Sequence, residues 1–448
     1  MEQKTKIRRI GSLIGLTTLT ALLIHWWLSN SYGLWGRLAA VGSAALFALL
    51  GLRFMPRWVD FWSGSPLPAS PAQKDEPRRI ELRIFFSLLA LDALFLLSAW
   101  LLRGALGHRG GFLQTLDFWR CTDSQHYLAI AEDWYLSEGS RDRLVQLVFL
   151  PGYPVLIRLF HLLTGEYLYA ALLVSAFSFA GAGVVFYRLA RLDLPHRDAM
   201  RALVFLCLMP GSFFYASPMS ESLFLLTSLA CVYLARRDRW LLGALCGAWA
   251  AFTRSLGLML LAPLLMELVA AAVRREQTVK QSLWRAAALL LIPLGFAAYC
   301  VINRQVSGHA FQFMVYQREH WGQRLGLFFN TAAYQMELAI GTFRDKPQNF
   351  FGLWLPNLLY GFLSLAVGAL AAKKLRPSYT AWLIAYFVIA IGATGLLSAP
   401  RYLMAMPVLP LSLALLTEKE APKTAALVGL SACGLLYFLA FLQRWQVW

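Results

Sequence analysis

The chain has 448 residues, of which 58% are hydrophobic and 15% are charged, and its formal net charge is +17. A soluble globular protein carries roughly 25% charged residues, so this composition excludes an ordinary soluble enzyme. Apolar runs of about twenty residues recur along the chain, and each is long enough to cross a hydrocarbon layer about 30 Å thick. We therefore predict an all-α, polytopic membrane protein that forms a single domain over 1–448.

The apolar runs predict thirteen crossings. In chain order they lie near 11–29, 34–52, 84–102, 168–187, 202–217, 219–235, 240–254, 256–272, 286–303, 350–372, 380–397, 401–416 and 424–442. A further apolar segment, 154–163, is too short to span a membrane and is predicted to lie in or dip into the interface. The six cysteines show no CxxC pairing, so we expect packing residues rather than a disulfide or metal framework.

The basic residues set the predicted orientation. Most of the 41 lysines and arginines fall in the loops on the N-terminal side of this topology, for example Arg8, Arg236 and Lys373. Because cytoplasmic loops carry the excess of Lys and Arg, the N-terminus is predicted to be cytoplasmic. The charge thus orients the chain in a cell membrane, and no separate basic domain suggests nucleic-acid binding.

Two long segments, 103–167 and 304–349, fall outside the cytoplasm in this topology. The longest cytoplasmic loop, 53–83, contains the Pro-rich sequence SGSPLPASPAQ and is expected to be a linker. Charged residues near the ends of crossings also collect at outer turns, namely Glu221, Arg254 and Arg401. We expect these residues to line one outward-facing cavity at the membrane level, together with Asp117, Asp123, His126 and Glu132. The alternatives are that the arginines are snorkelling anchors and that Glu221 only caps a helix.

Polar residues are concentrated in DFWRCTDSQHYLAIAEDWY, residues 117–135. From Asp123 onwards the spacing is helical and places Asp123, His126, Tyr127, Ile130 and Trp134 on one face. Trp119, Trp134 and Tyr135 are suited to the membrane interface. The pattern predicts a helix on the outer leaflet surface that presents a carboxylate and an imidazole one turn apart, unless its acids merely face water.

A carboxylate at a membrane surface can accept the proton of an acceptor hydroxyl while a lipid-linked phosphate leaves an activated sugar. Cationic side chains would stabilise the departing phosphate. The chain contains no dinucleotide or P-loop fingerprint, which agrees with a donor that is not a soluble nucleotide sugar. No cofactor is predicted, and because the acids do not form a persuasive ligand set for a divalent metal, the sequence leaves metal dependence open.

Several short motifs resemble those of the PIG-V family, the GPI mannosyltransferase 2 type, and its bacterial relatives. In chain order they are DSQHYLAIAE (123–132), FLPGYP (149–154), MPGSFF (209–214), SESLFLL (220–226), GAWAAFTRSLGL (247–258), YQREHWGQR (316–324) and PRYL (400–403). The resemblance implies a GT-C membrane glycosyltransferase that takes a sugar, mannose in the eukaryotic members, from a polyprenyl-phosphate donor and inverts the anomeric centre. The acceptor would be a lipid or a glycan.

The resemblance also implies roles for individual residues. Asp123 would be the general base, and His126 would orient the acceptor or contact the phosphate. Arg254 and Arg401 match arginine positions of the family at the donor phosphate. The remaining substrate-binding candidates are Gln317, Trp321 and Arg324, which would close over the site, together with Glu221, Tyr127 and Asp117.

One departure from the family affects the choice of base. The family usually has Trp-Asp at the catalytic acid, whereas this chain has Thr122-Asp123, so Asp117 stays a second possibility beside the favoured Asp123. Two other classes of function also stay open. A transporter or lipid flippase would place its polar residues near the midplane and show internal repeats, and a scaffold subunit would need no catalytic acid.

Overall fold

The computed structural model describes residues 2–63, 78–108, 110–135 and 145–447, and these residues are largely helical. Residues 64–77 of the predicted 53–83 linker lie outside them, and its described ends, 53–62 and 78–83, are helical rather than linker. The α-helices of the described residues are α1 (Glu2–Ser29), α2 (Leu34–Trp62), α3 (Arg78–Ala105), α4 (Phe112–Leu116), α5 (Ser124–Asp133), α6 (Gly152–Thr164), α7 (Tyr167–Arg191), α8 (His196–Leu208), α9 (Glu221–Arg236), α10 (Trp240–Thr253), α11 (Leu261–Val273), α12 (Val279–Leu289), α13 (Leu291–Ser307), α14 (Gln312–Trp321), α15 (Phe328–Thr342), α16 (Pro347–Asn349), α17 (Leu355–Ala371), α18 (Pro377–Gly392), α19 (Ala399–Met404), α20 (Val408–Leu416) and α21 (Glu420–Leu442). Short 3₁₀ segments occupy Asp117–Trp119, Val145–Val148, Ser212–Ala216 and Ser255–Leu260, and a π-helical turn occupies Phe350–Trp354.

The all-α, polytopic membrane architecture is confirmed. Among the described residues, eight helices are long and apolar enough to cross a membrane: Gln3–Ser29, Leu34–Trp62, Arg79–Ala105, Tyr167–Arg191, Ser255–Val273, Val279–Ser307, Pro347–Ala371 and Glu420–Leu442. Two shorter apolar helices, Trp240–Thr253 and Pro377–Gly392, correspond to the predicted crossings 240–254 and 380–397. The predicted number of thirteen crossings is not confirmed.

The other three predicted crossings are short or interrupted. The run 202–217 is split where α8 ends at Leu208, because Pro210 has no N–H and Gly211 has φ +94°. The run 401–416 is split at Pro407 into α19 and α20, and the run 219–235 forms the 16-residue α9. Hydropathy alone does not show such breaks, which a bundle tolerates where neighbouring helices satisfy the freed backbone groups.

The segment 304–349, predicted as an outer loop, is partly built into the helix bundle. Its helix α15 packs along α2, where Glu337 Oε1 accepts a hydrogen bond from the Gly36 backbone N–H at 3.0 Å. By contrast, α6 leaves Leu162 and Leu163 about four-fifths exposed, as an amphipathic helix at an interface would. The interfacial position of 154–163 stays a prediction.

The end of the bundle where α9 begins and where α10 and α18 end carries the site described below. A tight reversal between α10 and the following 3₁₀ segment forms part of it. A Cβ atom on Gly257 would lie 2.3 Å from the Ala251 backbone nitrogen, so only glycine lets the 3₁₀ segment approach α10 this closely. The reversal leaves Arg254 in an extended conformation directly beyond the end of α10.

The opposite end of the bundle is held by different ion pairs. Arg376, at the start of α18, makes two hydrogen bonds to Glu267 of α11, at 2.5 and 2.7 Å. Arg236, at the end of α9, pairs with Asp193 in the α7–α8 connection. These pairs tie together the helix ends on the side that the charge distribution predicts to be cytoplasmic.

Candidate functional site

A cavity of about 690 Å³ lies among the connections between helices, at the end of the bundle where α9 begins and where α10 and α18 end. Its wall includes Asp123, Phe149, Arg254, Gln317, Arg318, Trp321, Arg324, Arg401 and Tyr402. Tyr127 also lines it. Seven of the ten residues proposed from the sequence for catalysis or substrate binding therefore meet around one space, although they come from segments spread over almost 280 positions.

The polar centre of the cavity wall is a network of two arginines and two carboxylates. Arg401 Nη2 donates to Asp123 Oδ2 at 2.6 Å, and Arg401 Nε donates to Glu221 Oε1 at 2.9 Å. Arg254 Nη1 donates to the same Glu221 oxygen at 2.7 Å. The carboxylate of Glu221 is therefore the shared counter-charge of both guanidiniums, and its side chain is fully buried. Glu221 lies behind the cavity wall and reaches the site through these ion pairs.

Asp123 is the accessible member of this network. Its side chain is 32% exposed, whereas that of Arg401 is 2% exposed. Among the described residues only Oδ2 of Asp123 is hydrogen-bonded, so Oδ1 has no protein partner there. The turn before Asp123 is fixed by Ser124 Oγ, which donates to the Trp119 and Cys121 carbonyls, and Thr122 takes a left-handed φ of +51°. A carboxylate is thus held in place with one oxygen free to accept a proton.

The helix that follows Asp123 is not the surface helix predicted from its periodicity. The face of α5 that carries Tyr127 and Ile130 is buried against α6 and α7. The Tyr127 hydroxyl lies 2.9 Å from Ser220 Oγ, which also accepts a hydrogen bond from Arg254, and burial raises the pKa of Tyr127. The helix predicted from Asp123 onwards is present, but its shared face packs against protein instead of lipid headgroups.

Two of the three predicted interface aromatics are also buried. Trp119 is 1% exposed and Tyr135 is 5% exposed, while Trp134 is partly exposed. Trp119 packs against Phe441 at a ring distance of 5.5 Å, and the Tyr135 hydroxyl donates to the Phe149 carbonyl. Aromatic side chains are suited to cores as well as interfaces, so their presence in the sequence did not decide between the two.

His126 lies beside the cavity without lining it. Its ring stacks on Phe149 with centroids 4.5 Å apart and an interplanar angle of 18°. Burial lowers the pKa of His126, and the negative charge of Asp123 opposes this effect only in part. His126 therefore supports Phe149, whose ring is part of the cavity wall.

Asp117 does not lie at the cavity. Its side chain is 69% exposed and its carboxylate pairs with Arg120, the residue three positions further on, at 3.2 Å. The two acids left open by the sequence are thus distinguished by their positions, because only Asp123 reaches the cavity wall.

Another part of the cavity wall comes from 313–325, including Gln317, Trp321 and Arg324. The Arg324 backbone is fixed by Thr394, since the Arg324 N–H donates to Thr394 Oγ1 and the Thr394 N–H donates to the Arg324 carbonyl, both at 2.8 Å. Gly395, with φ +62°, allows close contact, because a Cβ there would lie 2.3 Å from the Trp321 carbonyl oxygen. This wall is therefore held against the end of α18.

The sequence reasoning missed Arg318, although it stands in the motif YQREHWGQR between residues that were proposed. It also missed Phe149, Tyr402 and the linking hydroxyl of Ser220. The described residues contain no cluster of three or more His, Cys, Asp or Glu side chains that could hold a metal ion. What the cavity offers chemically is one accessible carboxylate, four guanidiniums and several aromatic rings.

The fold and the site define a polytopic α-helical membrane protein with an ion-paired cavity at one end of its bundle. Residues 109–320 match the family model described as mannosyltransferase (PIG-V). Over these residues the chain is similar to the PIG-V family, in agreement with the resemblance found in its motifs. The matched segment includes Asp123, Glu221 and Arg254, while Arg401 lies beyond it.

Two individual proteins are similar to the chain. Human GPI alpha-1,6-mannosyltransferase 2 is 34% identical over 161 residues, which are 33% of this chain and 31% of the length of that relative. The crystal structure of ArnT from Cupriavidus metallidurans bound to undecaprenyl phosphate aligns with a TM-score of 0.47 and 18% identity. That alignment covers 80% of this chain and 63% of ArnT.

Proposed function

We propose that this protein is a GT-C glycosyltransferase that moves a sugar, mannose by its family resemblance, from a polyprenyl-phosphate donor to a hydroxyl group of a lipid or glycan acceptor. The observation that carries this proposal is the Asp123 carboxylate at the cavity wall, held by Arg401 through Oδ2 with Oδ1 unbonded. The PIG-V family match over 109–320 supports the sugar class.

In the proposed reaction, the acceptor hydroxyl oxygen forms a bond to the anomeric carbon while its proton passes to Asp123. The bond between that carbon and the donor phosphate oxygen breaks, and its electron pair stays on the phosphate. The leaving polyprenyl phosphate thereby gains one negative charge, which the cavity arginines stabilise. Attack from the side opposite the leaving phosphate inverts the anomeric centre.

The residues around Asp123 hold its carboxylate in position. Arg401 joins Asp123 to Glu221, and Arg254 holds Glu221 from the other side, so the base is fixed through two buried side chains. A preorganised base costs little reorganisation during the reaction. The aromatic rings of Phe149, Trp321 and Tyr402 give the sugar and the acceptor apolar surfaces to pack against.

The cavity is proposed to face the extracytoplasmic side of a cell membrane. The positive-inside pattern predicts this orientation, and the cavity lies at the bundle end opposite the Glu267–Arg376 and Asp193–Arg236 pairs. A polar site at one end of the bundle favours a transferase over a transporter, for which a midplane site is typical.

The test uses purified protein in liposomes, with polyprenyl-phosphate [³H]mannose as the donor. A lipid extract from cells that naturally contain the protein supplies the acceptor. We expect label to move into a new glycolipid or glycan, with equimolar release of polyprenyl phosphate. Mass spectrometry of lipid-linked and surface glycans from cells with and without the protein identifies the product. Unchanged glycans in the cells together with no transfer from the donor would contradict the proposal.

A further inference from the structure

The cavity carries more positive charge than its own carboxylates neutralise. Arg254 and Arg401 are balanced by Glu221 and Asp123 within the buried network. Two more arginines, Arg318 and Arg324, also line the cavity. Neither makes an ion pair with any residue in the described part of the chain. The site therefore presents two unpaired positive charges to whatever enters it.

The two unpaired guanidiniums belong to a wall that is fixed in position. Arg318 lies in the last turn of α14, which packs against the 3₁₀ segment Val145–Val148. Arg324 lies just beyond α14, and Thr394 holds its backbone through the two hydrogen bonds described above. The two guanidiniums therefore stand on a supported backbone.

Each of these arginines has an exposed apolar neighbour that also lines the cavity. Met314, one helical turn before Arg318 and on the same face of α14, is 56% exposed. Leu325, directly after Arg324, is 74% exposed. A cation beside an exposed apolar side chain, repeated at two positions, matches an amphiphile that joins an anionic head to a hydrocarbon tail.

We propose that Arg318 and Arg324 form the phosphate-binding pair of the cavity, with Met314 and Leu325 receiving the first part of a polyprenyl tail. Arg254 and Arg401 instead hold Asp123 in position through Glu221. This inference rests on the proposed function and assigns its phosphate subsite to residues other than the two arginines that the family resemblance suggested.

The charge of the pair matches the leaving group. A sugar-phosphate diester carries one negative charge, whereas the polyprenyl phosphate released from it carries up to two. Two unpaired guanidiniums therefore bind the leaving phosphate more tightly than the donor, and interactions that strengthen towards the transition state raise the rate. Release of the lipid phosphate after transfer is correspondingly slow.

The experiment measures binding of farnesyl phosphate to the full chain in detergent, by isothermal titration calorimetry and without any sugar donor. The double variant Arg318→Gln/Arg324→Gln is compared with the matched control Arg304→Gln/Arg344→Gln. The control also removes two charges from exposed arginines of 304–349, but neither of them lines the cavity. Inorganic phosphate and farnesol are titrated separately to distinguish the head from the tail.

We expect the wild type and the control to bind farnesyl phosphate alike, and the cavity variant to bind it at least about tenfold more weakly. Wild-type affinity in the cavity variant would overturn the assignment even if the protein transfers sugar. Equal wild-type affinity for inorganic phosphate and farnesyl phosphate would overturn the lipid part of it. Because no sugar is transferred in this measurement, its result is independent of whether the protein proves to be a transferase.

Discussion

Glu221 provides a direct test of the buried network, because one carboxylate oxygen serves two guanidiniums. Glu221→Gln keeps the shape of the side chain and one accepting oxygen but removes the negative charge. Arg254 then has no carboxylate partner among the described residues, and Arg401 keeps only Asp123. Breaking a buried ion pair by neutralising one partner costs about 3–5 kcal/mol, which is a large share of a typical folding free energy of about 5–15 kcal/mol.

The assay is thermal unfolding of the purified protein in detergent, followed by the fluorescence of its 16 tryptophans. The matched control is Glu132→Gln, which neutralises an exposed acid on α5 and should change stability by no more than about 0.5 kcal/mol. We expect Glu221→Gln to lower the midpoint by several degrees and the control to leave it unchanged. Equal midpoints for Glu221→Gln and wild type would show that this carboxylate does not balance the two arginines.

Three further predictions concern the base, the histidine and a close backbone contact. Arg401→Lys should lower the transfer rate at least about tenfold, because a single ammonium cannot replace a fork that bridges two carboxylates. Burial lowers the pKa of the His126 imidazole in the folded protein. As the pH drops below about 6.5, this imidazole is therefore protonated in the unfolded chain before it is protonated in the folded one, and the free energy of unfolding falls. His126→Phe should therefore flatten the decline of the unfolding midpoint in acid, and an unchanged decline would contradict this. A Cβ on Gly152 would lie 2.4 Å from Thr253 Oγ1, so Gly152→Ala should cost about 1–3 kcal/mol in thermal unfolding. Gly104→Ala, which meets open space, should cost nothing.

Much of the site was predictable because a membrane leaves few places for charge. Ionisable residues near the ends of crossings are costly and indicate a functional site. For Arg254 and Arg401 the sequence predicts a common cavity with Asp123. The structure brings these three residues together. Which carboxylate balances which arginine was not predictable, because Glu221 and Arg401 are 180 positions apart and either could have faced solvent.

The errors have a common physical origin. Hydropathy measures how apolar a run is but not where its helix breaks, so the break at Pro407 was counted as part of one crossing. Helical period likewise identifies a shared face but not what that face contacts. For this reason the face with Tyr127 was assigned to the membrane surface although it packs inside the protein.

The central claim is that Asp123 is the base of a sugar transfer, and a pair of isosteric substitutions tests it most directly. Asp123→Asn and Asp117→Asn remove the same charge from the same short stretch, but only Asp123 lines the cavity. With polyprenyl-phosphate mannose as donor, we expect Asp123→Asn to lower the initial transfer rate about 10²–10⁴-fold, while Asp117→Asn transfers at the wild-type rate. Wild-type transfer by the folded Asp123→Asn variant would contradict the account.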